Sequence, residues 1–242
     1  MKKSIKEYLI EKNYSNAEIL IRSGQVKINN EVVFTPSFLI KDSDEILIEQ
    51  KKEFVSRGAY KLLAAIEAFK LDFENKVILD IGASTGGFSQ VSLNYGAKLV
   101  YALDVGKNQL DYKLRQNSKI KSLEQTNLKS ISKQMFEVEI DKVVCDVSFI
   151  SLKEVYKVVE HILKTNDDLI VLLKPQFEAS SKYVEKGGFV LEQFHPFLID
   201  RSISQASEHN FKFIDKITSP IKGQKSKNTE YILWYKKHNE IL

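Results

Sequence analysis

At 242 residues the chain is too long for one minimal domain and short for three, so a large domain with a small companion is expected. Hydrophobic residues at 43% and charged residues at 28% are ordinary for a globular protein and exclude a disordered or fibrous chain. The net charge is only +4, one cysteine excludes an internal disulfide or thiolate cluster, and no run approaches the roughly 18 apolar residues that cross a membrane; a cytoplasmic protein without metal or membrane partner is expected.

The opening MKKSIKEYLIEKN is interrupted by charges where a secretory signal would have its apolar core. Ser15 and Glu18 are spaced as a capping box, with Tyr14 and Ile19 as the accompanying hydrophobic staple, which predicts a helix from Asn16. Gly24 supplies its stop, and VKINNEVV offers two short apolar runs about Asn29 and Asn30, residues that tolerate the positive φ of a tight hairpin. Pro36 breaks the pattern, and Glu45 to Ile48 reads as a closing strand. The segment SNAEILIRSGQVKINNEVVFTP resembles the S4-like RNA-binding domain, a likeness that extends over residues 3–50. It implies a small α+β domain over 1–50 that docks on folded RNA, with Lys12, Arg22 and Lys27 as basic candidates. An accessory unit that only packs on its neighbour is the alternative, because residues 1–50 carry seven Lys or Arg against eight Asp or Glu.

The charged segment KKEFVSRG, 51–58, is expected as a linker and 59–242 as the larger domain. There the apolar strands VILD (77–80), LVYALD (99–104), KVVCD (142–146) and LIVLLK (169–174) alternate with helix-periodic stretches near 60–70, 87–95, 109–117, 151–163 and 196–208. Such alternation predicts an α/β fold, a Rossmann-like, mostly parallel sheet covered on both faces. Cys145, inside the third of these strands, is expected as a small buried hydrophobe.

The first strand ends in Asp80, and Gly82-Ala83-Ser84-Thr85-Gly86-Gly87 leads through Phe88 into a helix. Small residues let a ligand approach the backbone, and a helix N-terminus presents free N–H groups. Asp104 ends the next strand, a place from which a carboxylate reaches ribose hydroxyls. A dinucleotide would want glycine where Ser84 stands, and Asp80 would repel its pyrophosphate. The same acid can accept from the cationic amino-acid portion of S-adenosylmethionine, which is therefore the expected cofactor. Its candidate contacts are Asp80, Gly82, Ala83, Ser84, Gly86, Gly87, Phe88, Asp104, Asn127 and Asp146. For Asp80 and Asp104 singly, helix capping is the alternative.

Four further polar residues stand at useful places: Lys61 opening the first helix of this domain, Asp146 and Lys174 ending strands, and Glu230 opening the terminal strand EYILWY. Open α/β sheets bind ligands at strand ends. Solubilising punctuation is the alternative for each one. Together, VSRGAYKL, DIGASTGGF, DVSFISL, LLKPQFE and SPIKG followed by NTEYIL resemble the TlyA family of haemolysin A and ribosomal RNA 2′-O-methyltransferases, over nearly the whole chain. The resemblance implies an FtsJ/RrmJ-like class I methyltransferase domain. It also implies a Lys-Asp-Lys-Glu catalytic set, which falls by motif on Lys61, Asp146, Lys174 and Glu230. The implied reaction is S-adenosylmethionine-dependent 2′-O-methylation of a cytidine ribose in ribosomal RNA, with ribosomal subunits as partners. Where the family has glycine before Asn228, this chain has Lys227.

In such a reaction the hydroxyl loses its proton as the new bond forms, and Lys174 is the expected acceptor. Because lysine is mostly protonated at neutral pH, positioning is expected to contribute more than basicity. Phe177 is expected in the core, with stacking on a base as the alternative, and Gln109 either borders the cofactor or is surface polarity. The four histidines show no ligand spacing. Lys216, Lys222, Lys225, Lys227, Lys236 and Lys237 form a basic run suited to phosphates or to a solvated face. A membrane-active haemolysin and an RNA-binding protein with a decayed enzyme domain are the competing functions; oligomeric state has no signature.

Overall fold

The computed structural model describes residues 3–14, 17–48, 54–223 and 226–238. A two-residue strand β1 (Lys3–Ser4) turns into helix α1 (Ile5–Glu11) through a capping box: the Glu7 amide donates to Ser4 Oγ (3.2 Å) and the Ser4 amide to Glu7 Oε2 (2.8 Å). Of the box expected at Ser15, Ser15 and Asn16 lie outside the described residues, and helix α2 (Ala17–Arg22) follows them. The hairpin forms as expected. β2 (Val26–Ile28) and β3 (Glu31–Val32) flank Asn29 and Asn30 at φ 52° and 67°. β4 (Leu39–Ile40) pairs with β1, and β5 (Ile46–Ile48) with β2, both antiparallel. Ile5, Leu9, Ile21 and Val26 are fully buried and, with their neighbours, form a separate small core.

The segment expected as a linker, 51–58, overlaps the larger unit at its C-terminal end. Residues 51–53 lie outside the described residues, while Phe54 is buried in the larger core and the Val55 amide donates to Gln90 Oε1 (2.9 Å). Residues 54–58 therefore pack as part of the larger unit, because an aromatic ring at its start has apolar surface to bury.

That unit runs α3 (Ala59–Phe69), β6 (Val77–Ile81), α4 (Gly87–Asn94), β7 (Leu99–Leu103), α5 (Tyr112–Arg115) and β8 (Ile120–Leu123). It continues with β9 (Lys142–Cys145), α6 (Leu152–Val159), β10 (Asp168–Leu173), α7 (Pro175–Glu178), α8 (His195–Ser207), β11 (Phe211–Thr218) and β12 (Tyr231–Lys237). The seven strands lie in the order β11-β12-β10-β9-β6-β7-β8. β8 through β10 are parallel, whereas β12 is antiparallel to both β10 and β11. β8 stands beyond the four internal strands read from the sequence, and its short, mixed sequence Ile-Lys-Ser-Leu, half-buried after Ile120, explains its weaker signal.

Every residue of β6 is buried, as a strand covered on both faces requires. Ile78, Val100, Val144 and Ile170 face a core shared with α3 and α4, while Leu79, Tyr101, Val143 and Val171 face a second one shared with α6 and α8. From β6 the chain travels outward to β7 and β8, then returns to lay β9 on the other side of β6. Connections therefore diverge above the ends of β6 and β9, where open α/β sheets form their ligand crevice. The Asp146 amide donates to Ile81 O (3.0 Å) and locks those two strand ends together. Among the described residues, no helix is long and apolar enough to cross a membrane.

Candidate active site

The loop after β6 is shaped by what it must avoid. A Cβ on Gly82, at φ +81°, would lie 2.6 Å from the Asp146 carbonyl oxygen, and one on Gly87 would meet Ser56 Oγ at 2.3 Å. Ser84 adopts φ 49°, held by its amide donating to Asp104 Oδ2 (2.8 Å), while Asp104 Oδ1 accepts from the Gly106 amide (2.7 Å). Asp104 thus borders the cavity and also fastens the loop, leaving each oxygen a further lone pair. Gly86 departs from its expected role. Its free face is turned to Leu114, 2.4 Å from a Cβ built there, so it shapes the turn into α4 and does not line the cavity.

Beneath the loop, Asp80 is 1% exposed. Its Oδ2 accepts from Ser89 Oγ (2.6 Å), but Oδ1 has no hydrogen-bond partner. Burial, with Asp146 and Asp104 nearby, raises its carboxyl to about 7 despite the lowering effect of the Ser89 bond. A buried acid with an unused oxygen under a glycine cradle suits a ligand that brings a cation and needs close backbone approach. The adjoining cavity of about 400 Å³ is lined by Gly82, Ser84, Asp104, Gln109, Asn127 and Phe149, among others. Asn127 lines this cavity, and its Oδ1 also caps the following turn by accepting from the Lys129 amide (2.9 Å).

A second hollow of about 290 Å³, opening on Gly82, Ala83, Gly87 and Phe88, is lined by Lys61, Asp146 and Lys174, with Glu230 buried behind Lys61. α3 presents Lys61, Asp146 directly follows β9, Lys174 directly follows β10, and Glu230 precedes β12. Lys61 Nζ donates to Glu230 Oε2 (2.8 Å) and to Asp146 Oδ2 (3.4 Å). Lys174 Nζ lies 2.6 Å from Asp146 Oδ1, an ion pair off the alignment of a good hydrogen bond, and donates to Ser148 Oγ (3.0 Å). These side chains are 3–18% exposed, and two cations face two anions, the compensation that buried charge needs. Pro175 begins α7 and leaves Lys174 extended (φ −113°, ψ 109°), as expected before proline.

Phe177 is not in the core. It is half-buried beside Phe149, with ring centroids 5.0 Å apart, and Lys174 Nζ sits 6.0 Å from its ring centre. Sequence reading missed Phe149. It is 89% exposed at φ 66°, a strained conformation for a bulky residue. No local pattern marks it. Glu178 ties the loop carrying Phe149 to the turn carrying Lys174, accepting from Ser151 Oγ and the Leu152 amide, both at 2.8 Å. Its carboxyl is raised by burial.

The basic candidates divide. Lys222 lines the charged hollow, but Lys236 pairs with Asp168 (2.9 Å) and Lys237 lies 3.7 Å from Glu160, so the terminal-strand lysines are largely structural; Lys225 lies outside the described residues. Arg22 stacks on Tyr95, 4.2 Å from the ring centre, while pairing with Glu18 (3.2 Å), and is consumed where the small unit meets the larger one. Cys145 is fully buried, and burial raises its thiol.

Comparison with known proteins agrees with this architecture. Residues 54–237 match the FtsJ-like methyltransferase family. The chain is 42% identical over 232 residues to hemolysin A of Brachyspira hyodysenteriae, covering 93% of this chain and 96% of that protein. It is 36% identical over 221 residues to the 16S/23S rRNA (cytidine-2′-O)-methyltransferase TlyA of Mycobacterium tuberculosis, covering 89% of this chain and 81% of that one. A solved structure of a hemolysin candidate from Streptococcus thermophilus superposes with a TM-score of 0.75 at 33% identity, over 99% of this chain and 91% of the other. The chain therefore belongs to the FtsJ-like methyltransferase family, in the group that contains hemolysin A and TlyA.

Proposed function

We propose that the protein is a cytoplasmic S-adenosylmethionine-dependent methyltransferase that modifies the ribose 2′-hydroxyl of a cytidine in ribosomal RNA. The observation that carries this reading is the meeting of Lys61, Asp146, Lys174 and Glu230 beside the loop that leaves Asp80 Oδ1 unpartnered. Bound there, S-adenosylmethionine supplies a methyl group on an electrophilic sulfonium. Asp80 would accept from its ammonium group, Gly82 and Gly87 would give room along the backbone, and Asp104 with Asn127 would take the nucleoside end.

Asp146 divides its carboxylate between the two lysines and so fixes Lys174 Nζ at the mouth of the hollow. Lys174 orients the acceptor hydroxyl and, as the neutral amine, takes its proton when the oxygen attacks. Lys61 and Glu230 hold Asp146 from behind. The geometry favours orientation as the larger contribution, since fixing two reactants supplies up to about 7–11 kcal/mol. The Phe149–Phe177 pair next to Lys174 gives the target base a stacking surface. Residues 1–50 are read as an S4-like RNA-binding domain that helps to hold the ribosomal substrate.

Incubation with labelled S-adenosylmethionine and purified small and large ribosomal subunits tests the proposal. Transfer giving 2′-O-methylcytidine, and lost in Lys174→Ala, is the expected result. Methylation of a base, or transfer retained in that variant, overturns it.

A further inference from the structure

Lys174 and Glu230 sit just beyond the edge of the sheet. The last β10–β12 rung joins Leu173 to Tyr231, after which the two chains separate, one into α7 and the other into residues 226–230. Asn228 spans the gap. It is 0% exposed; its Nδ2 donates to Gln176 Oε1 (2.8 Å) and Gly188 O (2.9 Å), and its Oδ1 accepts from the Val190 amide (2.9 Å). Gln176 is two residues past Lys174, and Asn228 two residues before Glu230.

His195 holds the other side of the same residue, Val190. It is 1% exposed, and Val190 O lies 3.0 Å from its Nε2. A carbonyl only accepts, so Nε2 carries the hydrogen and Nδ1 accepts from Tyr231 Oη (3.0 Å) in the neutral ring. Val190 is thus gripped at its amide by Asn228 and at its carbonyl by His195, which reaches Tyr231, the residue after Glu230. Glu230 itself has Lys61 as its only ion-pair partner among the described residues. No side chain of the charged set links it directly to Lys174.

We infer that Asn228 and His195 form a positioning clamp that fixes Glu230 relative to Lys174, the sheet rung holding one side of the pair and the buried amide the other. The inference rests on the proposed function. A buried amide is retained only with its partners satisfied, and here one amide makes three bonds to two separate segments, at Gln176 and at Gly188–Val190. Its action on chemistry runs through Glu230 and Lys61 to Asp146.

The test compares kcat, KM and cofactor Kd for wild type, Asn228→Ala, Glu230→Gln and the double variant on ribosomal subunits. A misplacement near 1 Å costs about a hundredfold in rate, so Asn228→Ala is expected to lose about that in kcat while cofactor Kd stays within about threefold. Acting through Glu230, it should add nothing to Glu230→Gln. Losses that multiply in the double variant, or a folded Asn228→Ala with wild-type kcat, overturn the clamp. Gln176→Ala and His195→Gln, the latter keeping a donor toward Val190 O, serve if Asn228→Ala does not fold, with the same non-additivity expected. If wild type transfers no methyl group, the proposed function fails; the clamp is then decided by a crystal structure of Asn228→Ala or Gln176→Ala. Separation of Glu230 from Lys61 supports it, and an unmoved pair overturns it.

Discussion

In the glycine-loop half of the cleft, Asp80 is buried with one oxygen unpartnered; in the adjoining half, four charged side chains compensate one another at 2.6–3.4 Å. The first arrangement leaves an acceptor without a partner in the protein, which suits a ligand that brings a cation. The second is closed and preformed, so its task is to hold a geometry. Mutations in the two halves should therefore fail differently: loss of ligand affinity on one side, loss of rate with affinity intact on the other.

Lys174→Ala should give the largest effect, a fall in kcat of about 10²–10⁴, the usual range for a positioned proton-transfer group. Calorimetric titration with S-adenosylmethionine should show near-normal affinity, and a parallel loss of binding would erase the division between the halves. Gly82→Ala strikes the other half, since the new methyl would meet the Asp146 carbonyl and the backbone lies at φ +81°. A stability loss of about 1–3 kcal/mol by thermal unfolding is expected together with cofactor affinity reduced beyond detection.

Asp80 gives a subtler signature. Its folded-state value of about 7 lies above that of the unfolded chain, so in the ligand-free protein its stabilising contribution is complete below about pH 4 and is lost as pH rises through 7. Cofactor affinity should move the opposite way, because only the carboxylate accepts from an ammonium group. Between pH 5.5 and 7.0 the ionised fraction rises about sixteenfold, and the association constant should follow. Asp80→Asn should be weak and flat over that range; a flat wild-type profile would sink the assignment. The smallest effect is expected from Phe149→Ala. Losing one stacking surface, worth about 1 kcal/mol, should raise KM for the RNA about fivefold, with a smaller loss of cofactor affinity because Phe149 also lines the cavity of about 400 Å³.

Much of this was legible without coordinates. The apolar runs ending in Asp80, Asp146 and Lys174 announce strands with chemistry at their tips, and the glycines near Asp80 announce a backbone-close ligand. Lys61 and Glu230 were found by motif, since nothing local to either marks a partner 169 residues away. Phe177 was misplaced because an aromatic beside a strand is more often core, and its neighbour Phe149 sits in an exposed, strained turn that no periodicity encodes. For Lys236 and Lys237 the pairing with Asp168 and Glu160 is not legible in the sequence, because those acids approach only across the sheet and from the end of α6.

By itself, then, the sequence determined the alternation of strands and helices, the glycine loop and the chemical inventory of the cleft, because these follow from local steric and hydrophobic patterns. Tertiary structure alone decided which charges compensate each other, that Asp80 retains an unused oxygen, that Arg22 is spent on Tyr95, and that Asn228 bridges the limbs bearing Lys174 and Glu230. Hydrogen bonds and ion pairs act over about 3 Å in space and are indifferent to separation along the chain, so only the folded arrangement could assign them.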